Sequence, residues 1–537
     1  MLSPTKTHHA ATRESKRRRL ISKSPRNIGG TVLCVVALAV SDVRPLREEM
    51  ERRRINHAAN TPRAVKQELG QYFTPGHIAD FMASLFPKED AQEIRMLDPG
   101  AGIGILSCAL SERITAEKWH VSKVSVDAYE IDGSLVGELR SNIEKALDRI
   151  GGDVNVISGD FLTNIVSETQ NGVLPRYTHV IMNPPYKKIR TESREREAAR
   201  AFGLETVNLY TAFMGAAIVA TVDGGYIVAI VPRSFCNGTY YKPFRQFMLD
   251  RCAIERIHLF ESRNTAFKDE SVLQENVIVL LRRNSPQGNV TVSHSTDGSL
   301  QNITVQTYPF DAIVSSDDSE RYINIPYGDE KTASDRFDVF HTTISDLGLH
   351  ISTGAVVDFR TKDSLRKDFE SDCVPLLYSV HFRDNRTCWP IDSKKPNALK
   401  LSKETQKMAS PSGYYVAVKR FSAKEENRRI VASLIAPSDF ASPKIAFENH
   451  LNVFMQDKHG LDKDIAYGIV VWLNTTWIDE KFRLFSGHTQ VNATDLRNLP
   501  YPSVEQLKSM GRRLGSIKNG WTQEIFDNIV MEVANEN

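Results

Sequence analysis

Three common signals are scarce in this sequence: paired cysteines, long apolar runs and an excess of one charge. The six cysteines include no Cys-x-x-Cys pair, so neither a zinc site nor a disulfide framework is indicated. The most apolar run, Thr31 to Val40, is about half as long as a membrane-spanning helix. The 68 Lys and Arg nearly balance the 66 Asp and Glu. These absences favour a cytoplasmic protein without a metal or a membrane segment, in which any nucleic-acid surface comes from local patches.

The length of 537 residues is sufficient for about two or three domains, and the hydrophobic content of 41% is typical of folded proteins. We predict a catalytic domain at 61–290, a connecting segment at 291–344 and a second domain at 345–537. Residues 1–60 hold thirteen Lys and Arg but only five Asp and Glu, which predicts a basic, disordered extension. Met50 is a second candidate for the start of translation.

Short apolar runs alternate with helical patterns from about Gln71 onward. The candidate strands are Ile94 to Leu97, Val124 to Tyr129, Val154 to Ile157, His179 to Met182, Tyr226 to Val231, Ile254 to Leu259 and Asn276 to Leu281. The candidate helices are Ile105 to Ile114, Leu135 to Arg149 and Leu209 to Val222. This alternation predicts an α/β fold with a doubly wound, mostly parallel sheet, whose ligands bind beyond the carboxyl ends of the strands. The C-terminal domain is expected to be mixed α+β.

A glycine-rich turn, Asp98 to Gly104, links the first predicted strand to a helix. Glycine permits a tight turn and a close approach of the backbone, and the helix start offers free N–H groups, so a nucleotide-like ligand fits here. A dinucleotide fingerprint would have a third glycine at the position of Ser107. A cofactor without a pyrophosphate therefore fits better.

Two further predicted strands end in acidic residues. Glu130 can accept hydrogen bonds from the hydroxyls of a ribose, as strand-end acids do in nucleotide-binding folds. Asp160 can accept from an adenine amino group, and Phe161 can stack on the base. Each acid alone could equally be a helix N-cap, which is the commoner role after a strand. Acids at the ends of three successive strands favour the cofactor interpretation.

The fourth predicted strand continues into Asn183-Pro184-Pro185-Tyr186. The prolines fix the backbone and lack N–H donors, so the loop presents acceptors. An amino group conjugated to a base is a poor nucleophile, because its lone pair is delocalised. The Asn183 side-chain oxygen and the Pro184 carbonyl can bind its two N–H groups, and Tyr186 can stack on the base. A rigid turn is the alternative for the tetrapeptide alone.

With Gly70 to Pro75 preceding the glycine turn, this set of motifs resembles the gamma-class N6-adenine DNA methyltransferases of restriction-modification systems, of the TaqI or PstI type. The resemblance covers about residues 68 to 285 and implies an S-adenosylmethionine-dependent methyltransferase fold. It assigns the methionine part of S-adenosyl-L-methionine to the closing segment Tyr72, Phe73, Thr74 and Pro75. It assigns the remaining cofactor contacts to Asp98, Gly100, Gly102, Glu130, Asp160 and Phe161.

The resemblance also implies that the target adenine is flipped out of double-stranded DNA and held by Tyr186 and Phe267. The stretch 486–500 resembles a segment of the target-recognition region, which places DNA recognition in the C-terminal domain. Candidate phosphate contacts are Lys419, Arg420, Lys424, Arg428 and Arg429. A solvated helix face is the alternative for this basic cluster.

Other functions remain open at this point. A methyltransferase acting on RNA or on protein glutamine poses the same chemical problem, although it would not need about 190 residues for recognition. A non-catalytic DNA-binding modification or specificity subunit and a fused endonuclease are further alternatives. A cytosine ring-carbon methyltransferase would use a Pro-Cys nucleophile, which is absent. The family expectation is a separate cognate restriction endonuclease that acts on the same site.

Overall fold

The structure is a computed structural model that describes most of the chain. The described residues are 44–60, 73–260, 275–296, 298–300, 302–316, 318–326, 340–422, 426–457, 459–485, 490–518 and 520–536. Three of the sequence predictions lie outside them: the cofactor residue Tyr72, the base contact Phe267 and the phosphate contact Lys424. The first residues of the segment 486–500 also lie outside.

A nine-stranded sheet forms the centre of the N-terminal part of the chain. Its strands are β1 (Asp90–Pro99), β2 (His120–Glu130), β3 (Gly152–Ser158), β4 (Tyr177–Met182), β5 (Thr221–Pro232), β6 (Cys252–Phe260), β7 (Asn276–Arg283), β8 (Val290–Ser295) and β9 (Ile303–Tyr308). Their order is β3-β2-β1-β4-β5-β7-β6-β8-β9. The first five strands are parallel, and β7 is antiparallel to both of its neighbours. The predicted α/β fold with a mostly parallel sheet is confirmed.

Helices cover both faces of this sheet, and an apolar core lies on each face. The helices are α1 (Arg44–Asn60), α2 (Gly76–Ser84), α3 (Ile105–Ala116), α4 (Val136–Leu147), α5 (Phe161–Gln170), α6 (Arg194–Ala201), α7 (Leu209–Ala220), α8 (Lys242–Leu249) and α9 (Phe310–Ile313). Central strands buried on two faces need apolar side chains on both, which explains the unbroken apolar run Ile227 to Val231. No helix in the described part of the chain is long and apolar enough to span a membrane.

Two domain boundaries differ from those that the sequence predicts. The sheet continues through β8 and β9 to Tyr308, so the first part of the expected connecting segment 291–344 belongs to the sheet. Residues 44–60 form α1 and are not a disordered extension. Met50 on α1 is fully buried, and Arg47 forms ion pairs with Asp80 and Glu112. The basic residues of α1 therefore find acidic partners on the folded domain, which charge counting along the sequence does not show.

The C-terminal part contains two smaller sheets and a helical layer. The strands are β10 (His350–Thr353), β11 (Leu365–Arg366), β12 (Cys373–Leu377), β13 (Phe382–Arg383), β14 (Arg386–Thr387), β15 (Ala398–Lys400), β16 (Ala409–Pro411), β17 (Tyr415–Lys419), β18 (Ala432–Ile435), β19 (Lys444–Phe447) and β20 (Leu451–Met455). They pair in the orders β10-β20-β17-β18-β14-β13 and β11-β15-β12-β19-β16. The helices are α10 (Lys463–Leu473), α11 (Thr476–Phe485), α12 (Ala493–Arg497), α13 (Val504–Ser516) and α14 (Gln523–Asn535).

Helices α10 and α13 approach each other closely at two glycines. A Cβ atom on Gly468 would lie 2.1 Å from the carbonyl oxygen of Leu507, and one on Gly511 would lie 1.9 Å from that of Asp464. Real Cβ atoms do not occur at such distances from backbone atoms, so both positions require glycine. The close approach lets apolar side chains of both helices, including the fully buried Trp472, fill one core.

We predict that Gly511→Ala destabilises the protein although alanine favours helix formation. The added methyl group meets rigid backbone, and such overpacking costs about 1–3 kcal/mol. Gly515→Ala on the same helix is the matched control, because its nearest neighbour, a Tyr467 ring carbon, would be 4.0 Å away. Thermal unfolding should show a lower melting temperature for Gly511→Ala and an unchanged or higher one for Gly515→Ala. Equal melting temperatures for the two variants would contradict the packing argument.

Candidate active site

A cavity of about 290 Å³ opens beyond the carboxyl ends of β1, β2 and β4. The strand order reverses between β1 and β4, and ligand sites of doubly wound sheets lie at such a reversal. Among the described residues, nine of those that the sequence predicts for the site line this cavity: Phe73, Thr74, Gly100, Gly102, Glu130, Asp160, Phe161, Asn183 and Pro185. Pro75, Asp98, Pro184 and Tyr186 are not among the residues that line it.

The glycine turn is fixed by backbone hydrogen bonds to the neighbouring strand. The N–H groups of Gly100 and Ala101 both donate to the carbonyl oxygen of Tyr129, at 2.9 and 2.8 Å. Gly100 and Gly102 have φ angles of 75° and 57°, in the left-handed region that favours glycine. A Cβ on Gly102 would lie 3.0 Å from the ring of Phe73. Glycine is therefore needed both for the turn and for the contact with the segment that contains Phe73.

Asp98 is fully buried beneath this turn and does not line the cavity. Its Oδ2 accepts a hydrogen bond of 2.6 Å from the hydroxyl of Ser107, whereas its Oδ1 has no partner in the described protein. Burial raises the pKa of Asp98 to about 7, although the hydrogen bonds from Ser107 act in the opposite direction. The side chain is an acidic group held close to the cavity wall, so a direct cofactor contact remains a prediction.

Glu130 presents a fixed carboxyl group to the cavity. Its Oε2 accepts a hydrogen bond of 2.7 Å from the N–H of Gly102, and its Oε1 accepts one of 2.8 Å from the N–H of Asp132. Burial raises the pKa of Glu130, and the two backbone hydrogen bonds partly offset this effect. Each oxygen has a second lone pair, so the carboxylate can accept further hydrogen bonds from ligand hydroxyl groups.

Asp160 is a helix N-cap and also lies at the cavity, so its contact with the cofactor stays a prediction. It is the N-cap of α5, where its Oδ1 accepts from the backbone N–H of Thr163 at 2.7 Å and from the hydroxyl of Thr163 at 2.6 Å. It also lines the cavity next to Phe161. Phe161 packs against the rings of Tyr129 and Phe213, each with centroids 5.1 Å apart. This packing fixes the ring of Phe161 at the cavity wall.

The loop after β4 is tied to the segment before α2. The side-chain Nδ2 of Asn183 donates a hydrogen bond of 3.1 Å to the Oγ1 of Thr74, which is itself buried. This bond fixes the orientation of the amide and therefore the direction of its acceptor, Oδ1. The hydroxyl of Tyr186 donates to the carbonyl oxygen of Ile230 on β5 at 3.0 Å, and its ring lies edge-on to Tyr210. Both polar side chains of the tetrapeptide therefore have fixed orientations.

Sequence reasoning missed several residues that line the cavity, including Ile131, Lys187, Glu195, Leu209 and Phe213. Ile131 is 62% exposed, which is unusual for a large apolar side chain. Its position directly after the strand-end acid was a usable signal, because such a residue lies beside any ligand held by that acid. Glu195 belongs to the highly charged helix α6, and nothing in that pattern singles it out.

Two of the predicted phosphate contacts have structural roles instead. The guanidinium of Arg428 donates to the carbonyl oxygens of Leu473, Asn474 and Thr475 at the end of α10. Arg429 is fully buried, with its guanidinium over the ring of Phe482. The prediction is wrong for these two arginines, because basic side chains also satisfy helix carboxyl ends. Neither lies on a solvated helix face.

The two remaining described members of this basic cluster also contact protein groups. The ammonium group of Lys419 pairs with Glu426 at 2.8 Å, and Arg420 donates to the carbonyl oxygen of Asn449 at 3.2 Å. Lys419 is partly exposed at the end of β17, in a strand and not in a helix. Their contact with DNA phosphates remains a prediction.

Comparison with known proteins shows extensive similarity to modification enzymes. Residues 140–267 match the family described as the Eco57I restriction-modification methylase. The chain is 42% identical over 474 residues to the Type II methyltransferase M.BsuBI of Bacillus subtilis, covering 86% of this chain and 92% of that protein. It is 39% identical over 471 residues to the Type II methyltransferase M.PstI of Providencia stuartii, with the same coverage of both chains.

Two solved structures share the fold over most of the chain. The DrdV–DNA complex aligns with a TM-score of 0.50 at 12% identity, covering 88% of this chain and 60% of that chain. The Type ISP restriction-modification enzyme LlaGI, solved with a DNA substrate mimic, aligns with a TM-score of 0.50 at 11% identity, covering 90% and 57%. These two structures show the fold alone. The sequence identity over nearly the whole length of two relatives establishes that the chain belongs to the Type II methyltransferases of restriction-modification systems.

Proposed function

We propose that this methyltransferase modifies the N6 amino group of an adenine that is flipped out of a specific site in double-stranded DNA. The hydrogen bond between Thr74 and Asn183 carries the proposal. It joins a residue of the cofactor-closing segment to the side chain that would bind the target amine. The cofactor cavity and the Asn-Pro-Pro-Tyr loop are therefore parts of one site.

The cofactor is S-adenosyl-L-methionine, which supplies an electrophilic methyl group when bound. The cavity fits it, because the glycine turn at Gly100 and Gly102 lines the cavity and Glu130 offers acceptors for ribose hydroxyl groups. Phe161 and the exposed Ile131 provide apolar surface for an adenine ring, and Asp160 provides an acceptor for its amino group. Gly100 and Gly102 would bind the amino-acid end, and the buried charge of Asp98 would favour a cationic ligand.

The loop after β4 can activate an exocyclic amine without a base or a covalent intermediate. The Oδ1 of Asn183 and the carbonyl oxygen of Pro184 would accept the two N–H groups, which localises the nitrogen lone pair and directs it toward the methyl group. The bond from Asn183 to Thr74 fixes which side-chain atom faces the amine. Tyr186, held through its hydroxyl by Ile230, would stack on the base.

A base inside a duplex cannot reach Asn183, so the target nucleotide must rotate out while other groups hold the DNA. Residues 345–537 are the natural source of that hold, because they form additional sheets and helices beyond the methyltransferase fold. A separate cognate restriction endonuclease acting on the same sequence completes the proposal. The site that it recognises depends on how loops enter the groove, which the fold alone does not determine.

The proposal predicts that methyl-labelled cofactor transfers its label to unmodified DNA, and that digestion yields N6-methyldeoxyadenosine. Parallel reactions with RNA and with a protein extract test the two other acceptor classes. A tRNA adenine-N6 methyltransferase of Cronobacter sakazakii is 31% identical to this chain over 146 residues, so RNA is a meaningful comparison. Label in RNA or protein but not in DNA would refute the proposal, and N4-methyldeoxycytidine would refute the choice of base.

Asn183→Ala should lower the rate of methyl transfer by about 100-fold or more, because loss of one preorganised acceptor in a catalytic site has effects of this size. Cofactor binding, measured by calorimetry without DNA, should change far less. Asn155→Ala, at an exposed asparagine in the middle of the same sheet's edge strand β3, is the matched control and should retain wild-type activity. Retained activity in Asn183→Ala would remove the catalytic assignment.

Asp98→Asn should show a pH-dependent effect. Folding raises the pKa of Asp98 from 3.8 to about 7. Between these two pH values the folded protein keeps a proton on Asp98 that the unfolded chain has released. The stability of the wild-type protein therefore falls as the pH rises through this window. The Asp98→Asn variant has no titrating group at this position, so its stability does not fall for this reason. Without cofactor, its melting temperature relative to wild type should therefore be higher at pH 8 than at pH 5.

The same substitution removes a negative charge near the cavity, so binding of the cationic cofactor at pH 8 should weaken. Asp148→Asn, at an exposed position, is the control and should show neither effect. A difference in melting temperature that does not change with pH would show that Asp98 does not titrate in this range.

A further inference from the structure

Helix α1 contacts three helices that follow segments lining the cofactor cavity. Arg47 forms ion pairs with Asp80 on α2 and, at 3.2 Å, with Glu112 on α3. Arg53 lies 3.4 Å from Glu138 on α4. The fully buried Met50 anchors α1 in the apolar core on that face of the sheet. Helix α1 is thus packed against the elements that follow the closing segment, the glycine turn and Glu130.

Glu51 connects α1 to the start of α2. Its Oε2 accepts a hydrogen bond of 3.2 Å from the backbone N–H of Gly76, the first residue of α2. The N-cap residue of α2 is Pro75, whose side chain has no acceptor, so the cap comes from another helix. Arg54, itself 2% exposed, donates to both carboxyl oxygens of Glu51 at 3.0 and 2.7 Å. The two bonds from Arg54 therefore hold the carboxylate in the position from which it accepts the hydrogen bond from Gly76.

The residues just before Gly76 make two contacts within the proposed active site. Phe73 packs on the glycine turn at Gly102, and Thr74 accepts the hydrogen bond from Asn183. Three contacts, at Phe73, Thr74 and Gly76, thus fix a four-residue span. Its first two residues touch the cofactor site and the catalytic loop. Glu51 supplies the last of these contacts from a helix that does not itself line the cavity.

We propose that Glu51 is a positioning residue for methyl transfer, acting through the span 73–76. Its carboxylate holds Gly76, which keeps Thr74 in place to orient the amide of Asn183 and keeps Phe73 against the glycine turn. This inference rests on the proposed function, because it assumes that the cavity binds the cofactor and that Asn183 binds the target amine. It assigns a role in catalysis to helix α1, which lies outside the residues 140–267 that match the family.

Steady-state kinetics of Glu51→Ala on the full-length protein tests this proposal. Loss of the cap should raise KM for S-adenosyl-L-methionine by about tenfold, lower kcat several-fold and leave KM for DNA unchanged. Glu51→Gln should recover most of the loss, because an amide oxygen can still accept from the N–H of Gly76. Glu49→Ala on the same helix is the matched control, since Glu49 is 40% exposed and pairs only with Arg53 in the described structure. Equal kinetics for Glu51→Ala and Glu49→Ala would overturn the proposal.

A double-mutant cycle with Thr74→Val separates positioning from general destabilisation. If Glu51 acts through Thr74, the effects of the two substitutions on kcat should be clearly less than additive, whereas additive effects would overturn the proposal. Circular dichroism and melting curves report whether each variant folds. If Glu51→Ala does not fold, Glu51→Asp replaces it. The shorter acid keeps its charge for Arg54 but withdraws from Gly76, so it should impair the enzyme more than Glu51→Gln, and the reverse order would contradict the proposal.

The outcomes are distinguishable from failure of the proposed function. Wild-type protein that does not methylate DNA refutes the function. Wild-type protein that methylates DNA while Glu51→Ala matches it refutes only the role of Glu51. Calorimetric titration with S-adenosyl-L-methionine in the absence of DNA gives an independent reading, in which Glu51→Ala should bind about tenfold more weakly than Glu49→Ala.

Discussion

The reversal of strand order between β1 and β4 is the constraint on which the site depends. Adjacent parallel strands whose following loops turn to opposite sides leave a crevice between them. The glycine turn after β1 forms one wall of this crevice, and the Asn183 loop after β4 forms the other. The hydrogen bond from Asn183 to Thr74 and the contact of Phe73 with Gly102 then connect the two walls to the segment before α2. The site for the methyl donor and the proposed site for the methyl acceptor lie together because two neighbouring strands end at the same edge of the sheet.

The acids of the site show how a protein keeps carboxyl groups available in a largely buried place. Glu130 is bound by two backbone N–H groups, and Asp160 caps a helix, so each is paired with donors that do not occupy all of its lone pairs. Among the described residues, Asp98 accepts hydrogen bonds from Ser107 alone, and burial raises its pKa to about 7. The hydrogen-bond donors around each carboxyl group thus match the ligand group expected there. Glu130 and Asp160 have backbone N–H donors and are expected to bind neutral groups. Asp98 has fewer donors, and a positively charged ligand group would complete its pairing.

The basic residues show that charge alone does not identify a nucleic-acid surface. Arg428 binds the carbonyl oxygens at the end of α10, Arg429 is buried against Phe482, and Arg47 pairs with acids on two helices. Each makes contacts within the folded protein. DNA recognition by the C-terminal part of the chain therefore depends on side chains that remain after these internal requirements are met, and the sequence does not separate the two groups.

The sequence by itself determined seven principal strands of the sheet and nine of the residues that line the cavity. These features follow from local rules, because burial on both faces of a strand forces an apolar run, and a strand-to-helix turn forces glycine or an acid at its end, as at Gly100 and Glu130. Only the tertiary structure decided that α1 is packed and not extended, that β8 and β9 belong to the sheet, and that Asp98 lies behind the cavity. It also decided that Ile131 and Glu195 line the cavity. These outcomes depend on partners far apart in the chain, such as Glu51 with Gly76 or Arg47 with Glu112, and no local pattern records which distant group a charged or apolar side chain will meet.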